Sequence, residues 1–327
     1  MSRHKYEQAW VDAYPPDPRQ RRRQLGALHR FEKAMERNAI ELLDKALEST
    51  HGCKEAEDLL TEYGMRLRRS GSKESSARQW ISVVKSFFVK NHARIGNLPC
   101  DIATHRPHPT IATLPKEHVN RMIQTRDNVQ DQLVIAFLAQ TGQRIGVLTA
   151  MKKVMIKKKG PEASPYGLVE VNIDDLVDPK GRNVNRSRVH YIFVIGRQAM
   201  QLVKRMPDYP GGWLFDISER QIARIVNKAG TDADVQKRRQ TGFPKRFMYT
   251  VHSNAFRSYW KDQMKEGGVK DSDMLNFLMG NKLTNDRTSL AFSEQEALDA
   301  YKTAEKNLKL DFRPASKKRR TRRGRKS

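Results

Sequence analysis

Four clusters of basic side chains stand out in this chain: Arg21, Arg22 and Arg23; Lys157, Lys158 and Lys159; Lys180 with Arg182; and Lys317, Lys318, Arg319 and Arg320. Such groups bind phosphate. A guanidinium offers a planar fork of donors that matches phosphate oxygens and never deprotonates, and an ammonium offers a compact point charge. The whole chain of 327 residues holds 62 Lys and Arg against 37 Asp and Glu, a formal charge of +25. Nine of those bases fall in Arg313–Ser327, yet the rest still carries 53 bases against 37 acids, or +16. A body this basic repels itself, which favours a large polyanionic partner such as nucleic acid.

Other chemistries find little support. Carboxylates pair up at Asp174-Asp175 and Asp271-x-Asp273, but at a strand end and a helix start, where turn and N-cap roles are commoner than metal binding. Cys53 and Cys100 lie far apart with no CxxC or Cys/His cluster, against both a disulfide framework and a structural zinc. No Gly-rich phosphate loop of a nucleotide-driven motor is present, and no metal or cofactor is expected. Aromatics are 8% of the chain and sit mostly on apolar faces, which disfavours RNA recognition by base stacking. The N-terminus lacks the apolar segment of a signal peptide, and no stretch approaches the roughly 18 apolar residues of a spanning helix. The expectation is an intracellular, nucleic-acid-associated protein with no membrane partner.

The elements that must position these groups divide the chain into five parts. Residues 1–23 read as a basic, flexible lead-in broken by Pro15, Pro16 and Pro18. Residues 24–96 form a helical domain: Leu42, Leu43, Ala46 and Leu47, then Leu59, Leu60, Tyr63 and Leu67, then Trp80, Val83, Val84, Phe87 and Phe88 recur at helical spacing. Residues 97–112, with three prolines, read as a linker. Residues 113–310 begin with helices, including the apolar run Leu133 to Leu138. Strand-like segments follow at Leu168–Ile173 and Val189–Ile195, joined by the basic turn around Lys180, and helical pattern then resumes. Residues 311–327 are a basic tail that should be disordered. The predicted fold is mainly α with a small antiparallel sheet, an α+β chain in two domains.

The run Thr141-Gly142-Gln143-Arg144-Ile145-Gly146-Val147-Leu148 resembles the first signature box of the tyrosine recombinases, the phage integrase family. His252-Ser253-Asn254-Ala255-Phe256-Arg257-Ser258-Tyr259-Trp260 resembles the second box, and Leu278-Met279-Gly280-Asn281 a later Leu-Gly-His step. The order of elements agrees: a small helical domain, a linker, a Leu114-Pro115-Lys116-Glu117 helix start, a short sheet, and Trp213-Leu214-Phe215 leading into a helix. The resemblance spans roughly residues 25 to 310 and is specific through the order of its motifs. It implies a two-domain clamp around double-stranded DNA, a core-binding helical domain and a catalytic domain, and homo-oligomers, tetramers on paired DNA sites. It further implies metal-free strand cleavage and rejoining through a phosphotyrosine. Arg144 and Arg257 would clamp one phosphate. A lysine, Lys180 or its rivals Lys157, Lys158 and Lys159, would protonate the leaving oxygen as general acid.

Three positions depart from the family pattern. Asn254 stands where His-x-x-Arg has its histidine, with His252 two residues earlier. Asn281 replaces the later His or Trp; it can hydrogen-bond phosphate but cannot exchange a proton near neutral pH. The spacing for the nucleophilic tyrosine lands on Ser289 or Leu290, and Lys282 to Ala300 contains no tyrosine. Nothing visible would activate Ser289. The next tyrosine, Tyr301, shares a helical face with Ala297, Leu298, Ala304 and Leu308, a stripe that also fits core packing. Two readings stay open: an active site-specific recombinase that uses Tyr301, or a recombinase-fold protein that grips DNA without cutting. A DNA-packaging or architectural protein is the remote alternative. Trp260 and Tyr259 are expected in the core.

Overall fold

A computed structural model describes residues 3–12, 18–72, 74–96, 114–185, 187, 189–236, 238–240, 247–249, 251–283 and 292–312. The expected linker, the basic tail with Lys317, Lys318, Arg319 and Arg320, and Ser289 and Leu290 all lie outside these residues. The chain separates into two compact units, Met1–Pro107 and His108–Ser327.

The first unit holds helices α1 (Arg3–Asp12), α2 (Pro18–Met35), α3 (Ala39–Glu48), α4 (Thr50–Arg69) and α5 (Glu74–Lys90). Each turns an apolar stripe inward, and Trp10, Phe31, Leu43, Leu60, Tyr63, Phe87 and Phe88 form the core. The lead-in is thus corrected: its described residues are helical. Trp10 of α1 is fully buried, packs edge-on to Phe87 and donates through its indole N–H to Ser86 Oγ at 3.0 Å. Pro18 sits at the first position of α2, where its missing N–H leaves nothing unsatisfied. Arg21, Arg22 and Arg23 therefore project from a helix and are exposed.

In the second unit come α6 (Lys116–Gln124), α7 (Val129–Thr141), α8 (Ile145–Ala150), β1 (Lys157–Lys159), β2 (Tyr166–Val171), β3 (Tyr191–Ile195) and α9 (Arg197–Val203). After them follow α10 (Glu219–Asp232), β4 (Arg238–Gln240), β5 (Phe247–Tyr249), α11 (Ser253–Glu266), α12 (Ser272–Leu278) and α13 (Glu294–Leu308). This is the expected mainly helical architecture with a small antiparallel sheet, in the order β1-β2-β3. Leu168 pairs with Lys157 on one side and Val194 on the other. The apolar run of α7 has a simple cause: every residue from Gln132 to Thr141 is buried, so this is a central helix with no solvent face.

Two features were not legible in advance. Strand β1 is three lysines with no strand pattern, and β4 pairs with β5 as a separate hairpin. In both, cross-strand partners decide what local propensity does not. Asp271 N-caps α12 by accepting from the N–H groups of Asp273 and Met274, the capping role expected of that acidic pair. Asp175 accepts from Asn172 in a turn. Trp260 and Tyr259 are core residues, as expected.

Candidate phosphate-binding site

Three chain segments converge on one place in the second unit, and two left-handed glycines make the convergence possible. Helix α7 ends at Gly142 with φ +61°, where an added Cβ would meet the Trp260 ring at 2.8 Å. Only glycine fits both the conformation and the contact. Two residues later Arg144 opens α8. Helix α12 runs into Gly280 with φ +64°, where a Cβ would meet the Tyr191 ring, also at 2.8 Å. Both glycines turn the backbone so that carbonyl oxygens face the arginines. The third segment is α11, which carries Arg257 and is anchored by the Trp260 indole N–H donating to Gln140 O at 3.0 Å.

Arg144 and Arg257 meet at Asn281. Arg144 Nη2 and Arg257 Nη2 each donate to Asn281 Oδ1 at 3.0 Å, so a single amide oxygen lies between the two cations. Arg144 Nη1 also donates to Gly280 O at 3.2 Å. Arg257 donates to Gly142 O at 2.7 Å and Met279 O at 3.3 Å. Asn281 is held by its own N–H, which donates to Asn276 O at 2.9 Å.

The electrostatics of Arg257 are unusual. It is 8% exposed, yet all three of its acceptors are neutral oxygens. Burial, then repulsion from Arg144, lowers its pKa to about 10, with Tyr191 acting weakly the other way. The group stays charged at neutral pH, and among the described residues no carboxylate is hydrogen-bonded to it to offset the loss of hydration. A buried charge normally has an ionic partner because desolvating it alone costs several kcal/mol.

The structure brings together Arg144, Arg257 and Asn281; the other expected site residues make no hydrogen bond to this cluster among the described residues. Asn254 is exposed one turn before Arg257. His252 is the half-buried N-cap of α11, and burial lowers its pKa. Lys180 is exposed in the turn between β2 and β3, which is organised by the buried Asp178. Asp178 Oδ1 accepts the backbone N–H groups of Lys180 and Arg182 at 3.0 and 2.9 Å. Burial pushes the Asp178 carboxyl up, but hydrogen bonds from Arg182 and the backbone outweigh it and hold it below the ordinary range. Arg182 is thus committed to Asp178, with Nε at 2.8 Å, instead of projecting freely to a ligand.

Two lysines of the β1 strand are likewise paired within the fold. Lys157 Nζ lies 2.9 Å from Glu170 and 2.7 Å from Glu294, and Lys159 Nζ lies 2.9 Å from Glu294. These two lysines alternate with Lys158 along β1 and tie the sheet to the start of α13; Lys158 is exposed.

Tyr301 does not belong to the arginine cluster. It is 1% exposed on the inner face of α13, with its ring edge-on to Tyr166 at 6.1 Å. A Cβ on Gly196 would collide with its hydroxyl, which places that group at the far end of β3 from Tyr191. Burial, then Glu305, Tyr166 and Tyr259, push its phenol well above the ordinary value, and neither arginine contributes. The residue that sequence reasoning missed is Tyr191. Its strand position carries no motif, and only the fold places it under Gly280.

Among the described residues no group of His, Cys, Asp or Glu is placed to hold a metal ion, and no helix is long and apolar enough to cross a membrane.

The fold has solved relatives. The integrase of transposon Tn1549, solved in complex with transposon right end DNA, matches with a TM-score of 0.51 at 15% identity, covering 92% of this chain and 95% of that one. The XerA recombinase matches at TM-score 0.39 and 14% identity, covering 95% of both chains. An integrase from mycobacterium phage Brujita matches at 0.44 and 13%, covering 95% of this chain and 94% of that one. No protein-family model matches the sequence, and neither does any curated protein. The structural neighbours are tyrosine recombinases and integrases at low identity, and what the chain shares with them is the fold.

Proposed function

We propose that this chain is a double-stranded-DNA-binding protein built on the tyrosine recombinase fold, in which Arg144 and Arg257 hold one backbone phosphate. The observation that carries this reading is Arg257: a buried guanidinium with three neutral acceptors beside a second guanidinium. A phosphodiester oxygen would supply the missing negative charge and accept from both forks. Exposed Arg21, Arg22 and Arg23 on α2 and Lys158 on β1 add non-specific backbone contacts in this reading, and the tail lysines and arginines form a further electrostatic arm.

Of the two readings open at sequence level, gripping without cleavage by Tyr301 has the better support. That phenol is buried, strongly protonated and outside the arginine cluster. The altered positions Asn254 and Asn281 point the same way, since neither amide can relay a proton. Lys180 is retained as the residue that could still protonate a leaving oxygen if another copy of the chain supplied a nucleophile. Tetrameric assembly on paired sites is carried by the family resemblance alone.

The test uses a fluorescent duplex titrated over a salt series. Affinity is expected to fall steeply with salt, because each neutralised phosphate releases counterions. Arg144→Ala should weaken binding about tenfold and reduce the slope by about one. Binding indifferent to salt would overturn the reading. So would a denaturation-resistant protein–DNA adduct on nicked duplex that disappears in Tyr301→Phe, since this would restore cleavage in cis.

A further inference from the structure

Next to Gly280, which the arginine cluster uses, lies a hydroxyl with no side-chain hydrogen bond among the described residues. Tyr191 opens β3 with 2% exposure, stacked on Phe193 at a centroid separation of 6.1 Å. The phenol end of its ring lies against Gly280: a Cβ there would be 2.8 Å from Cζ and 2.9 Å from both Cε atoms. Gly280 is the residue whose carbonyl accepts from Arg144. Arg144 and Arg257 are also the two charges that act on the phenol. This hydroxyl makes no side-chain hydrogen bond among the described residues and is not one of the sealed ones, so water or a ligand can reach it. It differs from the hydroxyl of Tyr259, which is unpartnered but sealed away from solvent.

We infer that Tyr191 is a third hydrogen-bond donor to the phosphate held by Arg144 and Arg257. The guanidinium charges attract the phenol oxygen, and a phosphate bound by both forks would offer its O–H an acceptor. Burial pushes the phenol up and the arginines only partly reverse this, so at neutral pH it is an O–H and can donate. The site then presents two charged forks and one neutral donor. The neutral donor adds hydrogen bonding without adding to the repulsion that already lowers the pKa of Arg257. This inference rests on the reading of the arginine pair as a phosphodiester site.

Tyr191→Phe removes only the oxygen and leaves the ring against Gly280 and Phe193, so the melting temperature without ligand should be nearly unchanged. Two titrations of the full chain then separate the possibilities. In the first, inorganic phosphate is added at constant ionic strength and the melting temperature is followed. The parent should be stabilised, Arg144→Ala should not respond, and Tyr191→Phe should need about five- to twentyfold more phosphate, the size of a lost hydrogen bond to a charged group. In the second, duplex DNA is titrated over a salt series. Tyr191→Phe should lose affinity by several-fold with an unchanged salt slope, because a neutral donor releases no counterion, whereas Arg144→Ala changes both.

Phosphate or duplex affinity in Tyr191→Phe equal to that of the parent overturns the inference while leaving the arginine reading intact. An effect on free phosphate without one on duplex overturns the assignment to DNA. A parent that ignores phosphate and binds DNA equally well after Arg144→Ala removes the arginine reading itself, and the inference falls with it.

Discussion

Two groups of cations in the second unit have opposite fates. Lys157 and Lys159 lie on an edge strand, half exposed, with Glu170 and Glu294 beside them. Arg257 is buried, and with Arg144 it shares a neutral amide oxygen. Judged by sequence, the triple lysine is the louder signal for a polyanion, yet two of its three charges are already offset within the fold. The arginines stand alone in their motifs, and the buried charge of Arg257 meets only neutral acceptors among the described residues. A basic residue therefore reports on a ligand through its local balance of charge and hydration, more than through clustering along the chain.

The largest effect should come from the glycine that shapes the arginine site. Gly280→Ala puts a Cβ into the Tyr191 ring at a positive φ, and about 3 kcal/mol of stability should be lost in chemical denaturation. A loss below about 0.5 kcal/mol would mean that the tight convergence is not needed.

Next comes Arg257→Met, which tests the missing counter-ion directly. An apolar side chain of similar length removes an uncompensated charge, so stability should be unchanged or higher by about 1 kcal/mol, while the stabilisation by inorganic phosphate disappears. Strong destabilisation would show that the guanidinium serves the fold instead of a ligand. Asn281→Ala removes the oxygen between the two forks. It should cost about 1–2 kcal/mol, and added phosphate should restore more of the melting temperature than it adds in the parent.

The lysine strand should respond least. Lys157→Ala is expected to alter duplex affinity by less than about twofold and stability by about 0.5 kcal/mol, since exposed ion pairs contribute little. A tenfold loss of affinity would erase the contrast with Arg144. Hydrogen bonds from Lys157 and Lys159 depress the Glu294 carboxyl. The small stabilisation from this group is therefore present above the ordinary carboxylate pKa and is lost as pH falls through the lower folded value. Glu294→Gln should flatten that part of an acid denaturation curve.

Much of the fold was legible because it rests on periodicity. The stripe Ala297, Leu298, Tyr301, Ala304 and Leu308 is the buried face of α13, and Leu133 to Leu138 lies inside α7. The strand segments at Leu168 and Val189 fall on β2 and β3, each within a few residues of its ends. Helix α1 escapes the sequence pattern because nearby prolines suggest irregular structure, whereas Arg3–Asp12 is helical and Pro18 opens α2. Strand β1 was invisible because a lysine triplet has no apolar alternation, and its partner strand supplies the pairing.

By itself the sequence determined the charge, the helical stripes and the order of motifs around Arg144, Arg257 and Asn281. These depend on residue type and local spacing, which a linear chain displays. Tertiary structure alone decided which charges are offset, that Tyr301 is buried away from the arginine pair, and that the Tyr191 ring lies against Gly280. Burial and counter-charge are properties of neighbours brought together from positions more than a hundred residues apart, as Arg257 and Gly142 are. No local pattern encodes the hydration that such a convergence removes.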